Sequence, residues 1–210
     1  MEPGCLRCQT WISDLLDFLE TPIHRELLKL KNQYSSTQSL QLRIGTAMQP
    51  SLHKACEPLA VMVGDWRGSG IGHYPGIEEF EYLEEIAFGH VGKPFLTYSQ
   101  KTKKPSDRQP LHSEQGFLRV IDDKTLEMVV AQPTGITEVH NGFYAANPTS
   151  CVVNLESIQV VTTVTAKPVE QVRRLLRIEN NTLTYDLSMA AVGKPMQHHL
   201  EASLQRVKPE

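Results

Sequence analysis

The sequence predicts an all-β fold: an antiparallel, up-and-down β-barrel of roughly ten strands, preceded by an N-terminal helical extension. From residue 59 onward, short segments alternate apolar and polar residues, the pattern of strands with one buried face. Clusters of turn-forming residues separate these segments, and no helical pattern intervenes. A long meander with one apolar face closes most simply into a barrel, because closure removes the exposed edges. A barrel of about ten strands has room for a ligand.

Composition limits the classes of function. With 210 residues, 40% hydrophobic and 21% charged, the chain is long enough for one folded domain with an extension. Its net charge of -3 provides no basic surface for nucleic acid. The densest apolar run, residues 59–63, has the length of a strand and is far too short to span a membrane.

The N-terminal residues do not resemble a signal peptide, because Asp14, Asp17 and Glu20 interrupt the region where an apolar segment would lie. Four cysteines in 210 residues do not suggest a disulfide scaffold. We therefore expect a cytoplasmic protein, with the nucleus as an additional location.

Two amphipathic helices are predicted before the barrel. Residues 9–20 place Leu15 and Leu19 at helical spacing, and Thr21-Pro22 has the residues of a helix start. The second helix continues to about residue 32. This arm packs either on the barrel or on a second copy of the chain, which would form a homodimer.

Residues 34–58 are polar and aperiodic, as in a linker. The predicted organisation is therefore a helical arm and linker over residues 1–57 and a barrel over residues 58–210.

Strand faces can be assigned from the alternation. Leu126, Met128 and Val130 share one face, and Glu127 lies on the other. The candidate strands are residues 66–74, 80–88, 94–101, 112–121, 125–132, 135–145, 150–155, 157–165, 170–179, 182–191 and 197–207.

The first strand contains glycines at alternate positions: Gly64, Gly68 and Gly70 surround Trp66. Their spacing matches neither the dinucleotide fingerprint nor the P-loop. Within a strand, glycines mark bending or the close approach of another group. We predict a tightly coiled first strand with Trp66 closing one end of the barrel. A second interpretation is that the glycines leave space for a flat ligand.

The adjacent histidines His198 and His199 are candidate ligands for haem iron, since a neutral imidazole is a good axial ligand. Strand parity favours His198, which shares a face with Leu200 and Ala202. His199 would need a bulge or a position at the barrel mouth to face inward.

The cysteine spacing permits a zinc site in principle. Cys5 and Cys8 form a Cys-x-x-Cys pair, and His53 with Cys56 could complete a tetrahedral set. Nothing in the intervening sequence brings the pairs together, so incidental thiols are the preferred interpretation. Gln9 follows Cys8, which excludes a covalent c-type haem attachment.

The chain resembles the nitrobindins, a family of haem-binding barrels, and the C-terminal module of animal THAP-domain proteins. The resemblance covers residues 58–207 in order. It is carried by Gly64-x-Trp66-x-Gly68-x-Gly70, Tyr74-Pro75, Phe80-x-Tyr82-x-Glu84-Glu85, His90-Val91-Gly92-Lys93-Pro94, Thr97-Tyr98-Ser99-Gln100, His112-Ser113-Glu114-x-Gly116-Phe117, Ala131-Gln132-x-Thr134-Gly135, Met189-Ala190 and Pro195-Met196-x-x-His199-Leu200.

The resemblance implies one non-covalent haem b per barrel, with His199 as the proximal iron ligand. It implies conversion of peroxynitrite to nitrate at ferric haem and binding of nitric oxide. The corresponding haem-contacting positions are Gly76, Leu111, His112, Gln132, Ile136 and Met189. Gly76 departs from the family pattern, which has threonine there, so weaker haem binding is expected.

Two other functions remain open. The barrel could be a non-catalytic carrier of a fatty acid or similar apolar ligand, as lipocalin-like barrels are. It could also be a scaffold whose arm, residues 9–32, recruits a partner. An imidazole at the cavity mouth favours haem over the carrier, which has no need of one.

Overall fold

The computed structural model describes residues 50–73 and 78–208, which form a 3-10 helix and a closed barrel of ten antiparallel strands. The predicted all-β barrel is confirmed. The 3-10 helix spans Lys54–Met62, and the strands are β1 (Gly64–Gly72), β2 (Phe80–Gly89), β3 (Leu96–Lys103), β4 (Pro110–Val120), β5 (Thr125–Gln132), β6 (Ile136–Asn147), β7 (Ser150–Thr162), β8 (Val169–Glu179), β9 (Thr182–Ala191) and β10 (Lys194–Arg206).

Each strand pairs with its neighbours in sequence, and β1 pairs with β10 to close the barrel. In that closing pair Trp66 lies opposite Arg206, and Gly72 lies opposite Leu200. The barrel end formed by the start of β1 and the end of β10 is called the sealed end below, and the opposite end is called the mouth. Within the described ranges, no helix has the length and hydropathy needed to cross a membrane.

The sealed end is closed by the 3-10 helix and Trp66. Leu59, Met62 and Trp66 are almost completely buried, and the indole Nε1 of Trp66 donates to the Met62 carbonyl oxygen at 3.0 Å. The Arg206 guanidinium lies 4.1 Å from the centre of the Trp66 ring and donates to the Val63 carbonyl at 2.6 Å. Burial of each large apolar side chain stabilises the fold by about 1.5–3 kcal/mol. The prediction that Trp66 closes one end is confirmed.

The glycines of β1 are required by close packing. A Cβ atom at Gly68 would lie 2.0 Å from the Ser203 carbonyl oxygen, and one at Gly70 would lie 2.4 Å from the phenol of Tyr82. Both neighbours belong to the barrel itself. The predicted close approach to the glycines is therefore confirmed, and the approaching groups belong to the neighbouring strands. The glycines let β1 lie tightly between β2 and β10.

Two predicted segments differ from the structure. The candidate strands 150–155 and 157–165 form one strand, β7. Its register shifts where Gln159 pairs with Val139 and Ser157 pairs with His140, because Ile158 between them is an extra residue that bulges outward. The bulge breaks the period-two alternation, so one strand looks like two in sequence. The C-terminal part of the predicted linker 34–58 belongs to the 3-10 helix, which ends at Met62.

The predicted helices over residues 9–32 lie outside the described residues. The division into an arm over residues 1–57 and a barrel over residues 58–210 therefore stays a prediction.

Candidate functional site

The mouth opens into a cavity of about 600 Å³ inside the barrel. The predicted site residues Leu111, His112, Gln132, Ile136, Met189 and His199 all line it, although they come from five different strands. Strand alternation accounts for the inward positions of His112, Gln132 and Met189. Leu111 and His199 instead lie at register irregularities of β4 and β10. Gly76, the remaining predicted contact, lies outside the described residues. The structure thus assembles one site from positions that are far apart in sequence.

A β-bulge turns His199 inward. Along the pairing of β10 with β9, His198 lies opposite Ser188 and Leu200 lies opposite Leu187, so His199 is the extra residue. An inserted residue re-aims the side chains next to it. The strict parity that favoured His198 therefore fails at this position, and it is His199 that lines the cavity.

The ring of His199 is held by a backbone hydrogen bond. Its Nδ1 lies 2.7 Å from the His73 carbonyl oxygen, an acceptor only, so Nδ1 carries the proton and Nε2 carries the lone pair. The His73 amide in turn donates to the His199 carbonyl at 2.7 Å. Burial lowers the pKa of His199, and the nearby His198, His112 and His73 lower it further, against the opposing effect of the carbonyl. The site therefore favours a neutral imidazole of fixed tautomer.

His198 points away from the cavity. Its side chain is exposed, its Nε2 lies 3.5 Å from the Glu201 carboxylate, and its ring centre lies 5.1 Å from that of His73. These contacts belong to the outer surface of the mouth. The two adjacent histidines thus occupy opposite sides of the barrel wall.

His112 lies on the opposite wall, near the start of β4. Its backbone amide donates to the Thr102 hydroxyl at 3.0 Å, and its Nε2 lies 3.7 Å from a carboxylate oxygen of Glu114. The ring is partly exposed to the cavity opening. His112 can therefore form a polar part of the wall without being locked to one partner.

The inner end of the cavity is a network of buried charges, called the cavity floor below. Arg174 donates to both oxygens of Glu114, at 2.5 and 3.0 Å, and to Glu138 at 2.8 and 3.2 Å. Gln132 donates to Glu138 at 2.6 Å and to Glu114 at 3.4 Å, and His140 Nε2 lies 2.7 Å from Glu138. The floor is therefore polar, charged and almost fully hydrogen-bonded.

The two carboxylates of the floor are ionised. Burial raises the pKa of Glu114 and Glu138, but the positive charge of Arg174 and the hydrogen bonds from neighbouring side chains together lower both below their usual range. The same attraction raises the pKa of Arg174, against the effect of its burial. Removal of Arg174 would leave both carboxylates buried without their cation.

A third buried carboxyl group behaves differently. Glu84 accepts hydrogen bonds from Tyr185 at 2.9 Å and from Gln100, and its other oxygen has no hydrogen-bond partner in the described part of the chain. Burial raises the pKa of Glu84 to about 7, against the effect of its two donors. Glu84 therefore changes its charge near neutral pH, unlike Glu114 and Glu138.

A family model described as the THAP4-like, heme-binding beta-barrel domain matches residues 55–206. The chain belongs to this haem-binding family. The resemblance to nitrobindins, the name used for the family below, is thereby confirmed.

Several relatives and a solved structure are similar to this nitrobindin chain over the barrel. Peroxynitrite isomerase 2 of Mycobacterium ulcerans is 46% identical over 159 residues, which cover 76% of this chain and 99% of the relative. Peroxynitrite isomerase of Nocardia farcinica is 44% identical over 160 residues, covering 75% and 95%. The crystal structure of Rv2717c from M. tuberculosis superposes with a TM-score of 0.73 at 44% identity, covering 75% of this chain and 100% of that one.

The residues at the mouth fit the haem of this family. Nε2 of His199 presents its lone pair as a donor atom for iron, and the Nδ1 hydrogen bond to the His73 carbonyl is the support that metal-bound histidines usually have. Leu111, Ile136 and Met189 give the cavity apolar walls, which suit the flat macrocycle. Ligation of iron by His199 and contact of these residues with haem stay predictions.

The cavity floor of this nitrobindin was not found from the sequence. Glu114, Glu138 and Arg174 occupy inward positions of β4, β6 and β8. Apolar inward residues flank Arg174 on both sides, whereas Glu114 and Glu138 each have a histidine on one side and a small or apolar residue on the other. A charged residue at such a position is the available signal, because isolated buried charges are costly and need partners. That side chains from these three strands meet across the barrel interior cannot be predicted from one sequence.

The zinc interpretation gains no support in the described ranges. His53 caps the 3-10 helix, since its Nδ1 accepts from the Ala55 amide at 3.1 Å, and Cys56 is buried as a free thiol. Residues 50–73 and 78–208 contain no group of three or more metal-ligating side chains. Cys5 and Cys8 lie outside the described residues.

Proposed function

We propose that this protein is a haem-dependent peroxynitrite isomerase, which converts peroxynitrite to nitrate. One observation carries the proposal: the bulge at His199 aims a neutral imidazole of fixed tautomer into an apolar-walled cavity of about 600 Å³. Membership of the haem-binding family and the names of relatives at 44–46% identity support it.

Ferric haem, when bound, supplies an iron centre that acts as a Lewis acid toward the peroxo group of peroxynitrite. The protein contributes position and confinement. The His73 carbonyl keeps the proton of His199 on Nδ1, so that Nε2 is the nitrogen that would hold the metal. The apolar walls formed by Leu111, Ile136 and Met189 exclude water and confine the reacting nitrogen and oxygen atoms until the rearrangement is complete.

We further propose that the haem is non-covalent haem b and that its iron binds nitric oxide. Both described cysteines, Cys56 and Cys151, are buried, and neither lines the cavity, so no described thiol is placed to attach a vinyl group. Nitric oxide is small and uncharged and needs only an open iron position. Free thiols are in keeping with the cytoplasm as the site of action, with the nucleus as the additional location.

The carrier alternative receives less support. A fatty acid needs an apolar cavity along its whole chain, whereas the floor of this cavity holds Arg174, Glu114 and Glu138. A carrier also has no use for the hydrogen-bonded imidazole of His199 at the mouth.

Absorption spectra of the haem-loaded full chain test the proposal. We expect wild type to retain haem through gel filtration with a histidine-ligated ferric spectrum and to accelerate peroxynitrite decay toward nitrate. The His199→Ala variant should lose the histidine-ligated spectrum, while the matched His198→Ala variant should keep it because its ring lies outside the cavity.

The opposite results would overturn specific parts of the proposed function. An unchanged spectrum in His199→Ala would refute the ligand assignment, and loss in His198→Ala alone would restore the parity argument. Failure of wild type to retain haem would refute the haem function and favour the carrier or scaffold.

A further inference from the structure

Glu84 is a buried carboxyl group to which the proposed function assigns no role. Its side chain occupies an inward position of β2 and is almost completely buried. Its Oε1 accepts a hydrogen bond from Gln100, which lines the cavity. Tyr185 donates to the same oxygen at 2.9 Å, and its hydroxyl lies 2.8 Å from that of Tyr82, another lining residue. Glu84 therefore lies directly behind the cavity wall and is joined to it by hydrogen bonds.

The two oxygens of Glu84 have different surroundings. Both donors reach Oε1, whereas Oε2 has no hydrogen-bond partner within residues 50–73 and 78–208. The ionised group thus buries a charged oxygen without a donor, which is costly. A proton on Oε2 removes this charge and leaves both hydrogen bonds to Oε1 in place. Glu84 can therefore gain and lose a proton without rearrangement of its neighbours.

The two carboxylates of the cavity floor differ from Glu84 in this respect. Arg174 donates to both oxygens of Glu114, and Glu138 accepts from Gln132 at one oxygen and from Arg174 at the other. A proton on any of these four oxygens would compete with a donor that is already there. Glu84 has no ion pair in the described part of the chain. Its charge is therefore the one that can change at little structural cost.

The ionisable groups that face Glu84 come from four other strands and from β2 itself. They are Tyr98 on β3, Glu114 on β4, Arg174 on β8, Tyr185 on β9 and Tyr82 on β2. On β1 the residue opposite Glu84 is Gly68, which has no side chain. Burial raises the pKa of the three phenols, which stay neutral, and Glu114 and Arg174 stay charged as an ion pair. Burial raises the pKa of Glu84 to about 7, so Glu84 is the member of this set that titrates near neutral pH.

We propose that Glu84 takes up a proton when an anion binds in the cavity, and thereby compensates the negative charge that the anion adds beside the charged floor. The inference rests on the proposed function, whose substrate peroxynitrite is an anion. The proton comes from the solution and forms an O–H bond at Oε2. Glu84 does not line the cavity, so it is a positioning residue that acts through its charge and through Gln100. By linkage, the neutral carboxyl group and the bound anion favour each other to the same extent.

The expected proton uptake follows from this linkage. A carboxyl group with a pKa of about 7 is about one quarter protonated at about pH 7.5. A nearby like charge favours the neutral form of a carboxyl group about tenfold or more. A tenfold preference raises the protonated fraction to about three quarters, so about half a proton is taken up per anion. A neutral ligand adds no charge and should cause no such uptake.

Isothermal titration calorimetry of the ferric, haem-loaded full chain tests this inference, with azide as the anion and imidazole as the neutral ligand. Titrations in two buffers of different ionisation enthalpy give the number of protons taken up per ligand. With azide at about pH 7.5, we expect wild type to take up about half a proton more than Glu84→Gln. With imidazole the two proteins should agree. Glu85→Gln is the matched control and should equal wild type, because Glu85 lies on the outer face beside Lys103 and is 44% exposed.

A second variant guards against misfolding of Glu84→Gln. Tyr185→Phe keeps the carboxyl group of Glu84 but removes one of the two donors to its Oε1. Loss of that donor favours the neutral form further, so the largest uptake with azide should move to a higher pH than in wild type. A role of Glu84 in packing alone would not shift with pH.

Equal uptake with azide in folded, haem-bound wild type and Glu84→Gln proteins would overturn the inference, as would an equal difference between them with imidazole. Infrared difference spectra of the haem-free chain between about pH 6 and 8.5 separate it from the haem function. The band of a protonated carboxyl group should disappear with rising pH in wild type and be absent from Glu84→Gln. Its absence from wild type would overturn the inference and leave the haem function standing. Failure of wild type to retain haem would refute the proposed function, and with it the inference that rests on it.

Discussion

The sealed end and the mouth are built from the same ten strands but have opposite interiors. At the sealed end the inward residues are apolar, and Leu118, Leu126 and Leu183 belong to the same buried core as Trp66. Toward the mouth the inward positions hold Glu114, Arg174 and other polar groups around a cavity. Individual strands change character along their length, as β8 does from Arg174 to Leu176 and Ile178.

The difference separates stability from function within one barrel. Apolar burial at the sealed end contributes free energy of folding, which offsets the desolvation of the charged floor. The barrel stays folded with a charged ligand site at one end because the apolar half of each strand stabilises it. Four substitutions test that division, and each has a matched control.

Loss of Arg174 should have the largest effect. Arg174→Met leaves Glu114 and Glu138 buried without their cation, so we expect a loss of at least about 3–5 kcal/mol of stability at pH 7. The loss should shrink toward pH 5, where the unpaired carboxyl groups take up protons. Urea unfolding at both pH values measures this. Arg173→Met is the control, because Arg173 is 53% exposed and pairs with Glu156 on the surface; a similar loss there would contradict the assignment.

At the sealed end, Trp66→Ala should cost about 3–5 kcal/mol, because it removes a fully buried indole and its hydrogen bond to Met62. The variant should keep its haem affinity if it remains folded, since Trp66 does not line the cavity. Phe143→Ala, at a position 67% exposed, should change stability by less than about 0.5 kcal/mol. Haem loss from folded Trp66→Ala protein would show that the two ends are coupled.

Loss of the contacts between Arg206 and the sealed end should have a smaller effect on stability. Arg206→Met removes the hydrogen bond to the Val63 carbonyl and the contact with the Trp66 ring, and we expect a loss of about 1–3 kcal/mol. Thermal unfolding is the measurement. Arg119→Met, on the exposed outer face, controls for removal of an arginine. Equal shifts of the unfolding temperature in the two variants would argue against a stabilising role of the Arg206 contacts.

The smallest effect should be a gain that depends on pH. The folded-state pKa of Glu84 is raised to about 7 from 4.5, so its protonated form favours folding at low pH and this contribution is lost as pH rises from 4.5 to about 7. Glu84→Gln should match wild type at about pH 4 and exceed it by about 1–2 kcal/mol at about pH 8.5. The neighbouring Glu85→Gln variant, on the outer face beside Lys103, should show no such gain. The same gain already present at about pH 4 would refute the titration.

The alternation of residues predicted the barrel and its faces correctly. Alternation places adjacent residues on opposite faces, and the structure buries Glu84 and pairs Glu85 with Lys103 on the outside. Alternation fails at bulges, which have no reliable sequence signature: Ile158 split one strand into two, and parity at His199 pointed to its neighbour. The family resemblance, not periodicity, indicated His199.

Charge pairing across the barrel was the other feature beyond sequence reasoning. Arg174 is 60 residues from Glu114 and 36 from Glu138, and their contact depends on barrel closure and strand register. One sequence contains the three charges but not the distances between them.

The pairing of β1 with β10 also decides how the barrel can be joined to other polypeptides. Gly64 begins β1 and Arg206 ends β10, and both lie at the sealed end; Pro50 also lies there, beside Gly92 in the connection between β2 and β3. A partner or tether joined directly at either of these two strand ends would leave the entrance to the cavity facing solution.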